Sequence, residues 1–367
     1  MSSEKKNPVI EQMAPWLGDE ERRAVDEYLA SGGWLTEFQK TAELEQQIAT
    51  YTGASHAIMV NSGTSALFCA VVACGIGPGD EVLVPDFTMI ASANVVGLAG
   101  AKPILVDVVP QDLCIDLAAA ERALTPRTRA LMYVSINGRA REIRKAVEFC
   151  TAHSLTLIED AAQSMGSTHA GRHLGTFGRV GILSFSPLKI ITTGQGGAVI
   201  TNDDEIAARA RRLKDFGRLS GGVDVHESIG YNFKFTDLQA VIGLEQMKKL
   251  DGRVKRKKEM FRLYEKELRG ARSIEFLDTD LEETTPWFID VLADRRDELM
   301  VHLKQRGIRT RAFYPPIHSQ RAYGLPGKFS ITEDVAARGL WLPSSSALTD
   351  EEIVRVAQSI RNFYCGM

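Results

Sequence analysis

The sequence predicts an α/β fold in which helices cover a large, mostly parallel β-sheet and a smaller α/β domain follows. Apolar strand-like and helix-like segments alternate from residue 56 to about residue 245, which is the pattern of repeated βα units. Residues 56–85 contain one such unit, with an apolar helix between two apolar strands. A charged helical segment beginning at residue 251 is the expected bridge to the second domain. We therefore predict a large domain with an N-terminal helical segment over residues 1–250 and a small domain over residues 251–367.

The individual elements follow from local patterns. Helical spacing predicts two N-terminal helices over residues 19–31 and 41–51, and a later helix over residues 235–250. Short runs of apolar and β-branched residues predict the strands 56–60, 81–85, 155–160, 181–186 and 198–201. The helix that follows the first strand ends at Gly75, in a run rich in glycine and proline.

Composition is that of an ordinary globular protein. Apolar residues make up 44% of the 367 residues and charged residues 25%, with a formal net charge of −3. This charge gives no reason to expect nucleic acid or an acidic membrane as a partner. No apolar run approaches the length of a membrane span, and no signal peptide is visible. The five cysteines lack metal-ligand spacing, so we expect no metal site, reduced thiols and a cytoplasmic location.

Lys189 is the most informative residue of the chain. It follows an apolar segment that carries serine residues, and a turn of threonine and glycine comes directly after it. A lysine among small and apolar neighbours is disfavoured as an ammonium ion, because burial penalises the charged form. Such an amine can attack carbonyls and hold a cofactor aldehyde as a Schiff base. The alternative is a surface lysine in a glycine-rich hairpin.

The predicted strand 155–160 ends in two carboxylates. Ligand chemistry in α/β folds collects at the carboxyl ends of strands, so a carboxylate there points into a site. If Lys189 holds pyridoxal 5'-phosphate (PLP), the pyridine nitrogen needs an anionic partner, and we assign Asp160 to that role. Gln163 would then hydrogen-bond the 3-oxygen of the ring. The alternative for Asp160 is an ordinary helix cap.

A third segment is suited to a phosphate group. The first predicted strand runs into Asn61-Ser-Gly-Thr-Ser65, and a strongly apolar helix follows. Free backbone amides at a helix N-terminus, with hydroxyl groups beside them, bind phosphate without a lysine. Gly63 lets the chain approach the anion closely. Ordinary helix capping explains this segment equally well when it is viewed alone.

Taken in order, these segments resemble a known family. The motifs that match it are residues 62–67, 77–82, 158–163, 184–189, 192–197 and 229–240. Together they resemble the DegT/DnrJ/StrS-type sugar aminotransferases, which are PLP-dependent transferases of the aspartate aminotransferase fold (fold type I). The resemblance extends from about Thr36 to Ser344 and therefore covers nearly the whole chain.

The resemblance implies roles for residues around the cofactor ring. Lys189 would hold PLP as a Schiff base, and the cofactor would pass through pyridoxamine 5'-phosphate during the reaction. Asp160 would pair with the pyridine nitrogen, and Gln163 would lie beside the ring. The family commonly stacks an aromatic residue on the ring, but Met89 occupies that position here.

The resemblance also implies how the phosphate is held. Thr64 and Ser65 would bind it from the start of the helix, helped by Ser184. Asn232 would reach the phosphate bound by the neighbouring subunit. A homodimer with composite active sites is therefore implied.

The substrate pocket is where the sequence departs most from the family. Residues 135–138 replace a frequent His-Leu-Tyr-Gly sequence, and Arg139 follows them. We predict that Asn137, Arg139 and His318 contact the substrate; a structural histidine in a proline turn is the alternative for His318. Arg309 and Arg311 would meet either the nucleotide diphosphate or the carboxylate of the amino donor, and the sequence leaves this choice open.

These roles imply transfer of an amino group from L-glutamate, or glutamine, to a nucleotide-linked keto-sugar. An NDP-4-keto-6-deoxyhexose is the expected acceptor, and the amino sugar would serve glycan, O-antigen or secondary-metabolite biosynthesis. The alternatives are a PLP-dependent sugar dehydratase, a cyclitol aminotransferase, or a non-catalytic regulatory protein that keeps the fold. Lys189 argues against the deoxygenating branch of the family, which has histidine at this position.

Overall fold

The structure is a computed structural model that describes residues 8–365. Its helices are α1 (Asp19–Ala30), α2 (Gln39–Thr52), α3 (Gly63–Ala73), α4 (Ala91–Leu98), α5 (Leu117–Arg122), α6 (Ile143–Ala152), α7 (Asp204–Lys214), α8 (Asp237–Lys248), α9 (Leu250–Glu267), α10 (Arg296–Gln305), α11 (Ser330–Arg338) and α12 (Asp350–Cys365). Its strands are β1 (His56–Val60), β2 (Glu81–Pro85), β3 (Lys102–Val106), β4 (Thr128–Val134), β5 (Thr156–Asp160), β6 (Thr168–His169), β7 (Arg172–His173), β8 (Val180–Ser184), β9 (Gly197–Thr201), β10 (Ile274–Phe276), β11 (Ile289–Ala293), β12 (Arg311–Ala312) and β13 (Gly339–Leu342).

A seven-stranded sheet forms the centre of the large domain, in the order β1-β9-β8-β5-β4-β2-β3. β9 pairs antiparallel with both of its neighbours, and every other neighbouring pair in this sheet is parallel. All five residues of β2 and of β9 are buried, as expected for strands covered on both faces. The predicted α/β class with a mostly parallel sheet is confirmed. The parallel arrangement brings the carboxyl ends of β5 and β8 to one edge of the sheet.

A second sheet of four strands, in the order β10-β11-β13-β12, lies in the C-terminal part of the chain. Strands β10, β11 and β13 and the helices α9, α10 and α12 share a separate apolar core. Ile10 belongs to this core and forms a parallel bridge with Ile308, although the predicted division assigned residues 1–250 to the large domain. The start of the described chain therefore packs with the small domain, and the long helix α9 connects the two parts.

No helix within residues 8–365 is long and apolar enough to cross a membrane. Over the same residues, no group of three or more His, Cys, Asp or Glu side chains is arranged to hold a metal ion. Cys69, Cys114 and Cys150 are buried free thiols, Cys74 is partly buried, and Cys365 is exposed. The cytoplasmic location stays a prediction.

Candidate active site

Several of the site residues predicted from the sequence lie at one edge of the central sheet. Asp160 is the last residue of β5, and Ser184 is the last residue of the neighbouring β8. Lys189 lies beyond β8 in a tight turn, where its N–H donates to the carbonyl of Ser186 at 3.0 Å. The turn then leads into the start of β9 at Gly197, beside the β1–α3 connection. One amine and one carboxylate from separate segments therefore face the same space.

Asp160 is a buried acid, since only 5% of its surface is exposed. One carboxylate oxygen accepts a hydrogen bond from Ser92 Oγ at 2.7 Å, and the other accepts one from the N–H of Ala162 at 3.2 Å. Burial raises the pKa of Asp160, whereas these two hydrogen bonds and the charge of Lys189 lower it. Ser92, near the start of α4, was not predicted from the sequence, since nothing in its segment points to a carboxylate far along the chain.

Lys189 has the electrostatic properties of a reactive amine. Burial lowers the pKa of Lys189 to about 7; the charge of Asp160 raises it, and the charge of Arg311 lowers it. The Nζ atom lies 3.6 Å from the centre of the Trp287 ring, whose own N–H donates to the carbonyl of Leu188 at 2.7 Å. Trp287 therefore contacts both the amine and the backbone beside it. It was missed because it comes from the C-terminal domain.

The start of α3 forms a cradle next to Ser184. Ser62 is the N-cap residue, and its hydroxyl accepts from the N–H of Ser65 at 3.1 Å. The hydroxyl of Ser65 donates to Asn61 Oδ1 at 2.6 Å. A Cβ atom added to Gly63 would lie 2.9 Å from Ser184 Oγ, so only glycine leaves room for this approach. Thr64 is exposed at the first turn of the helix. The free backbone amides in the first turn of α3, together with the neighbouring hydroxyl groups, suit the binding of a phosphate.

These groups fit PLP. The cradle at Gly63 suits the phosphate, Lys189 suits the aldehyde, and Asp160 is an anion for the pyridine nitrogen. The fit rests on the buried carboxylate, the amine of lowered pKa and the narrow approach of Ser184 to Gly63. The individual roles stay predictions.

Gln163 and Met89 differ in how firmly they are held. Gln163 is buried, and its side-chain oxygen accepts from the N–H of Asn137 at 2.8 Å, which leaves its NH₂ group as a donor. Met89 is 47% exposed, and its sulfur accepts from the N–H of Ala91. Stacking of Met89 on a cofactor ring stays a prediction.

The structure corrects the substrate role predicted for Arg139. The side chain is 1% exposed and forms a two-pronged ion pair with Asp290 of β11, with distances of 3.1 and 2.7 Å. Its Nε donates to the carbonyl of Asp112 at 3.2 Å. A buried guanidinium whose donors are used in this way is unavailable to a substrate. Arg139 therefore joins the two domains.

The structure gives Asn137 a similar linking role, so its predicted substrate role is also corrected. It adopts a left-handed conformation with φ 55°, and its side chain bonds both backbone groups of Phe288. The amide nitrogen donates to the carbonyl of Phe288 at 2.8 Å, and the amide oxygen accepts from its N–H at 2.7 Å. Because both ends of the side chain are used, it has little left to offer a substrate.

His318 lies beside a buried acid. Its Nδ1 is 2.6 Å from Asp86 Oδ2, and its backbone N–H donates to the other carboxylate oxygen at 2.8 Å. The ring stacks on Phe329 with centroids 4.7 Å apart. Asp86 follows directly after β2, so it fixes the ring near the carboxyl edge of the sheet. Contact with substrate stays a prediction.

Asn232 lies in an exposed segment. Its backbone forms a bridge with Asp215, and its side chain faces outward. Around it are exposed apolar residues, of which Ile229 is 85% exposed. The others in the segment are Phe216, Leu219, Val223, Val225 and Tyr231, and Trp34, Leu35 and Phe38 are exposed near the N-terminus. Monomeric proteins seldom leave so much apolar surface uncovered.

Comparison with known proteins identifies the family. A model of the DegT/DnrJ/EryC1/StrS aminotransferase family matches residues 15–361. The chain belongs to this family. The predicted family and the prediction of an aminotransferase are confirmed.

Three relatives indicate the kind of aminotransferase. The GDP-perosamine synthase of Caulobacter vibrioides is 36% identical over 363 residues, covering 96% of this chain and 98% of the relative. The dTDP-4-dehydro-2,3,6-trideoxy-D-glucose 4-aminotransferase of Saccharopolyspora spinosa is 33% identical, covering 95% and 94%. The structure of DesV from S. venezuelae superposes with a TM-score of 0.90 at 34% identity, covering 97% of this chain and 99% of that one. The predicted fold and the prediction of a sugar aminotransferase are confirmed.

Proposed function

We propose that this aminotransferase uses PLP held on Lys189 to move the amino group of L-glutamate to the keto carbon of a nucleotide-linked 4-keto-6-deoxy sugar. The observation that carries the proposal is the amine of Lys189, whose pKa is lowered to about 7 and whose charge interacts with Asp160. An amine that is half neutral near pH 7 both accepts and donates protons at that pH, as a general base and acid must.

When bound, PLP supplies the electron sink that stabilises negative charge on the substrate carbon. Asp160 would keep the pyridine nitrogen protonated, because a buried anion next to that nitrogen favours its charged form. Ser92 and the N–H of Ala162 hold the carboxylate in place through hydrogen bonds of 2.7 and 3.2 Å. The anion is therefore positioned before the reaction begins, which is how fixed charges contribute most to catalysis.

Lys189 moves the protons. Its neutral amine would take the proton from the α-carbon of the donor. In the second half of the reaction the protonated amine would deliver a proton to the former keto carbon of the sugar. The Trp287 ring, 3.6 Å from Nζ and 5% exposed, keeps water away from the amine and limits the directions in which it moves.

The amino-sugar product is proposed from the relatives. The names of two of these relatives contain a GDP-linked amino sugar and a dTDP-linked 4-keto sugar. A nucleotide-linked 4-keto sugar as the acceptor agrees with both names.

The working unit is proposed to be a homodimer in which Asn232 binds the phosphate of the partner's cofactor. The exposed apolar side chains around Ile229 support this proposal, because a second copy of the chain would cover them. Phosphate binding across the interface would then link cofactor affinity to dimer formation.

The proposed function is tested by following the transfer of labelled nitrogen from glutamate to the sugar. The PLP form of the protein is incubated with ¹⁵N-glutamate and, in turn, GDP- and dTDP-linked 4-keto-6-deoxyhexoses, and the sugar products are analysed by mass spectrometry. We expect ¹⁵N in the sugar and 2-oxoglutarate in equal amount, and neither with Lys189→Ala. A sugar product that has lost a hydroxyl group and gained no nitrogen would indicate a dehydratase instead. Cofactor binding without turnover of any keto-sugar or cyclitol ketone would indicate a regulatory protein.

A further inference from the structure

Two basic side chains of α9 are buried one helical turn apart. Arg253 is 4% exposed, and Lys257 is fully buried. Residues four positions apart lie on the same face of a helix, so both side chains leave α9 in the same direction. Within residues 8–365, no carboxylate lies within ion-pair distance of either group. Burying a basic group without a counterion costs free energy, so the two side chains must form bonds that an apolar residue could not replace.

Lys257 reaches the point where two strands of the small domain separate. Its Nζ donates to the carbonyl of Trp287 at 2.7 Å and also to the carbonyl of Ser344. These carbonyls lie two residues beyond the last pair of the β11–β13 ladder, so the ladder leaves them without a donor. Burial lowers the pKa of Lys257 to about 7, but the ammonium ion and the neutral amine both carry enough N–H groups for two bonds. Lys257 therefore holds the backbone of Trp287 in either form.

Arg253 holds the backbone next to Lys189. Its Nη1 donates to the carbonyl of Ile190 at 3.0 Å and to Gln246 Oε1 at 2.6 Å. The same oxygen of Gln246 accepts from the N–H of Thr192 at 3.2 Å. The turn that follows Lys189 is thus bonded to side chains of α8 and α9 at two of its first three residues.

The bonds from α9 converge on Lys189. The carbonyl before it, that of Leu188, accepts from the indole N–H of Trp287 at 2.7 Å, and the carbonyl after it, that of Ile190, accepts from Arg253. The Trp287 ring that forms the first of these bonds also lies 3.6 Å from Lys189 Nζ. An amine that moves a proton between two carbons must be held in place, since a misplacement of about 1 Å can cost about 10²-fold in rate.

We propose that Arg253 and Lys257 are positioning residues for proton transfer by Lys189. The proposal rests on the proposed function, in which Lys189 moves the protons. Lys257 acts through the Trp287 ring, which keeps water from the amine, and Arg253 acts through the backbone at Ile190. Neither group touches the reacting atoms. A purely structural role would change stability and leave the chemistry of Lys189 as it is, so the two roles can be separated.

The first test measures Lys189 in the cofactor-free protein. The rate of its reaction with an aldehyde is followed against pH, as the difference between each variant and the same variant carrying Lys189→Ala. In Lys257→Met the Trp287 backbone loses its donor and water reaches the amine; we expect the apparent pKa of Lys189 to rise and its rate below pH 7 to fall about 10-fold. Lys258→Met is the matched control, because its bond to the carbonyl of Glu282, 3.1 Å long, is exposed to solvent. It should behave as the wild type.

A double-mutant cycle separates positioning through Trp287 from a direct effect of the Lys257 charge. Trp287→Leu removes the ring and its N–H, so it should raise the apparent pKa of Lys189 by itself. Adding Lys257→Met should then change this pKa little, since two residues that act through the same contact are not additive. Asp160 and Arg311, whose charges act on the pKa of Lys189, are unchanged throughout. An equal rise in both backgrounds would mean that Lys257 acts by its charge, which would overturn its positioning role.

The second test uses Arg253, so that the inference does not depend on the folding of one variant. The glutamate half-reaction of the PLP form is followed in single turnovers over a range of glutamate concentrations. For Arg253→Gln we expect the rate at saturation to fall about 10- to 100-fold with little change in the glutamate concentration that gives half of that rate, because the base is misplaced while glutamate binding is not. Arg253→Lys keeps a charged donor for the Ile190 carbonyl and should recover part of the loss.

Two further results would overturn the inference. One is a lowered melting temperature in the Arg253 and Lys257 variants with a normal pKa of Lys189 and normal half-reaction rates, which would reduce both residues to supports of the fold. The other is weaker glutamate binding with an unchanged rate at saturation. Neither test involves the sugar, so their outcome is separate from whether the proposed sugar acceptor is right.

Discussion

The buried ion pair between Arg139 and Asp290 offers the sharpest test of the structure, because the sequence suggested that Arg139 binds substrate. Replacing Arg139 by Met removes both hydrogen bonds to Asp290, and the carboxylate stays at 1% exposure without a counterion. An uncompensated buried charge of this kind costs about 3–5 kcal/mol. For a chain of this size we expect the melting temperature of the cofactor-free protein to fall by roughly 4–6 °C.

The assay is thermal unfolding of cofactor-free variants at a fixed protein concentration, since bound PLP would shift the transition by itself. Arg139→Met combined with Asp290→Leu should recover most of the lost stability, because an apolar pair of similar size replaces the ion pair. Arg22→Ala is the control: this arginine pairs with Asp19 at 66% and 78% exposure, so its removal should change little. The reasoning is refuted if Arg139→Met melts like the wild type and instead raises KM for the keto-sugar.

Three other predictions concern the catalytic site. In the cofactor-free protein, the rate at which Lys189 reacts with an aldehyde should increase with pH only up to about 7, since its pKa is lowered to about 7 and only the neutral amine attacks. The rate is measured as the difference between the wild type and Lys189→Ala. A rate that still rises at pH 10 would contradict this prediction. Asp160→Asn should keep PLP bound but lower turnover roughly 10²–10³-fold, and near-normal turnover would reduce Asp160 to a structural cap. Mixing Lys189→Ala with Asn232→Ala should restore part of the activity once subunits exchange, because each mixed dimer would contain one intact site. Demonstrated exchange without recovery would mean that each site is built from a single chain.

The parts of the site that could be predicted from the sequence lie in short continuous segments. Asp160 ends a strand and Lys189 follows the next strand in the same sheet, so local pattern and strand direction were enough to place them together. Gly63 was predicted from its place between a strand and an apolar helix, although the Ser184 side chain that leaves no room for a Cβ atom there lies far along the chain. The α/β class followed from the alternation of strands and helices, which needs no knowledge of distant contacts.

The residues that were missed or wrongly assigned depend on contacts between distant parts of the chain. Trp287 meets Lys189, and Ser92 meets Asp160 at a separation of 68 residues. Arg139 was assigned to the substrate because it follows residues 135–138, where the sequence departs from the family in the substrate pocket, whereas its partner Asp290 lies 151 residues further on. Periodicity and spacing describe one segment at a time, so they do not contain these pairings.

The unusual loop at residues 135–139 is best understood through what it holds. Asn137 bonds both backbone groups of Phe288, and Arg139 bonds Asp290 two residues further along. Phe288 stacks on Trp287 with ring centroids 3.8 Å apart, and Trp287 covers the amine of Lys189. The loop therefore fixes the position of the aromatic ring that shields Lys189, although neither of its polar side chains is free for a substrate. A change in this loop would consequently act on proton transfer through the placement of Trp287.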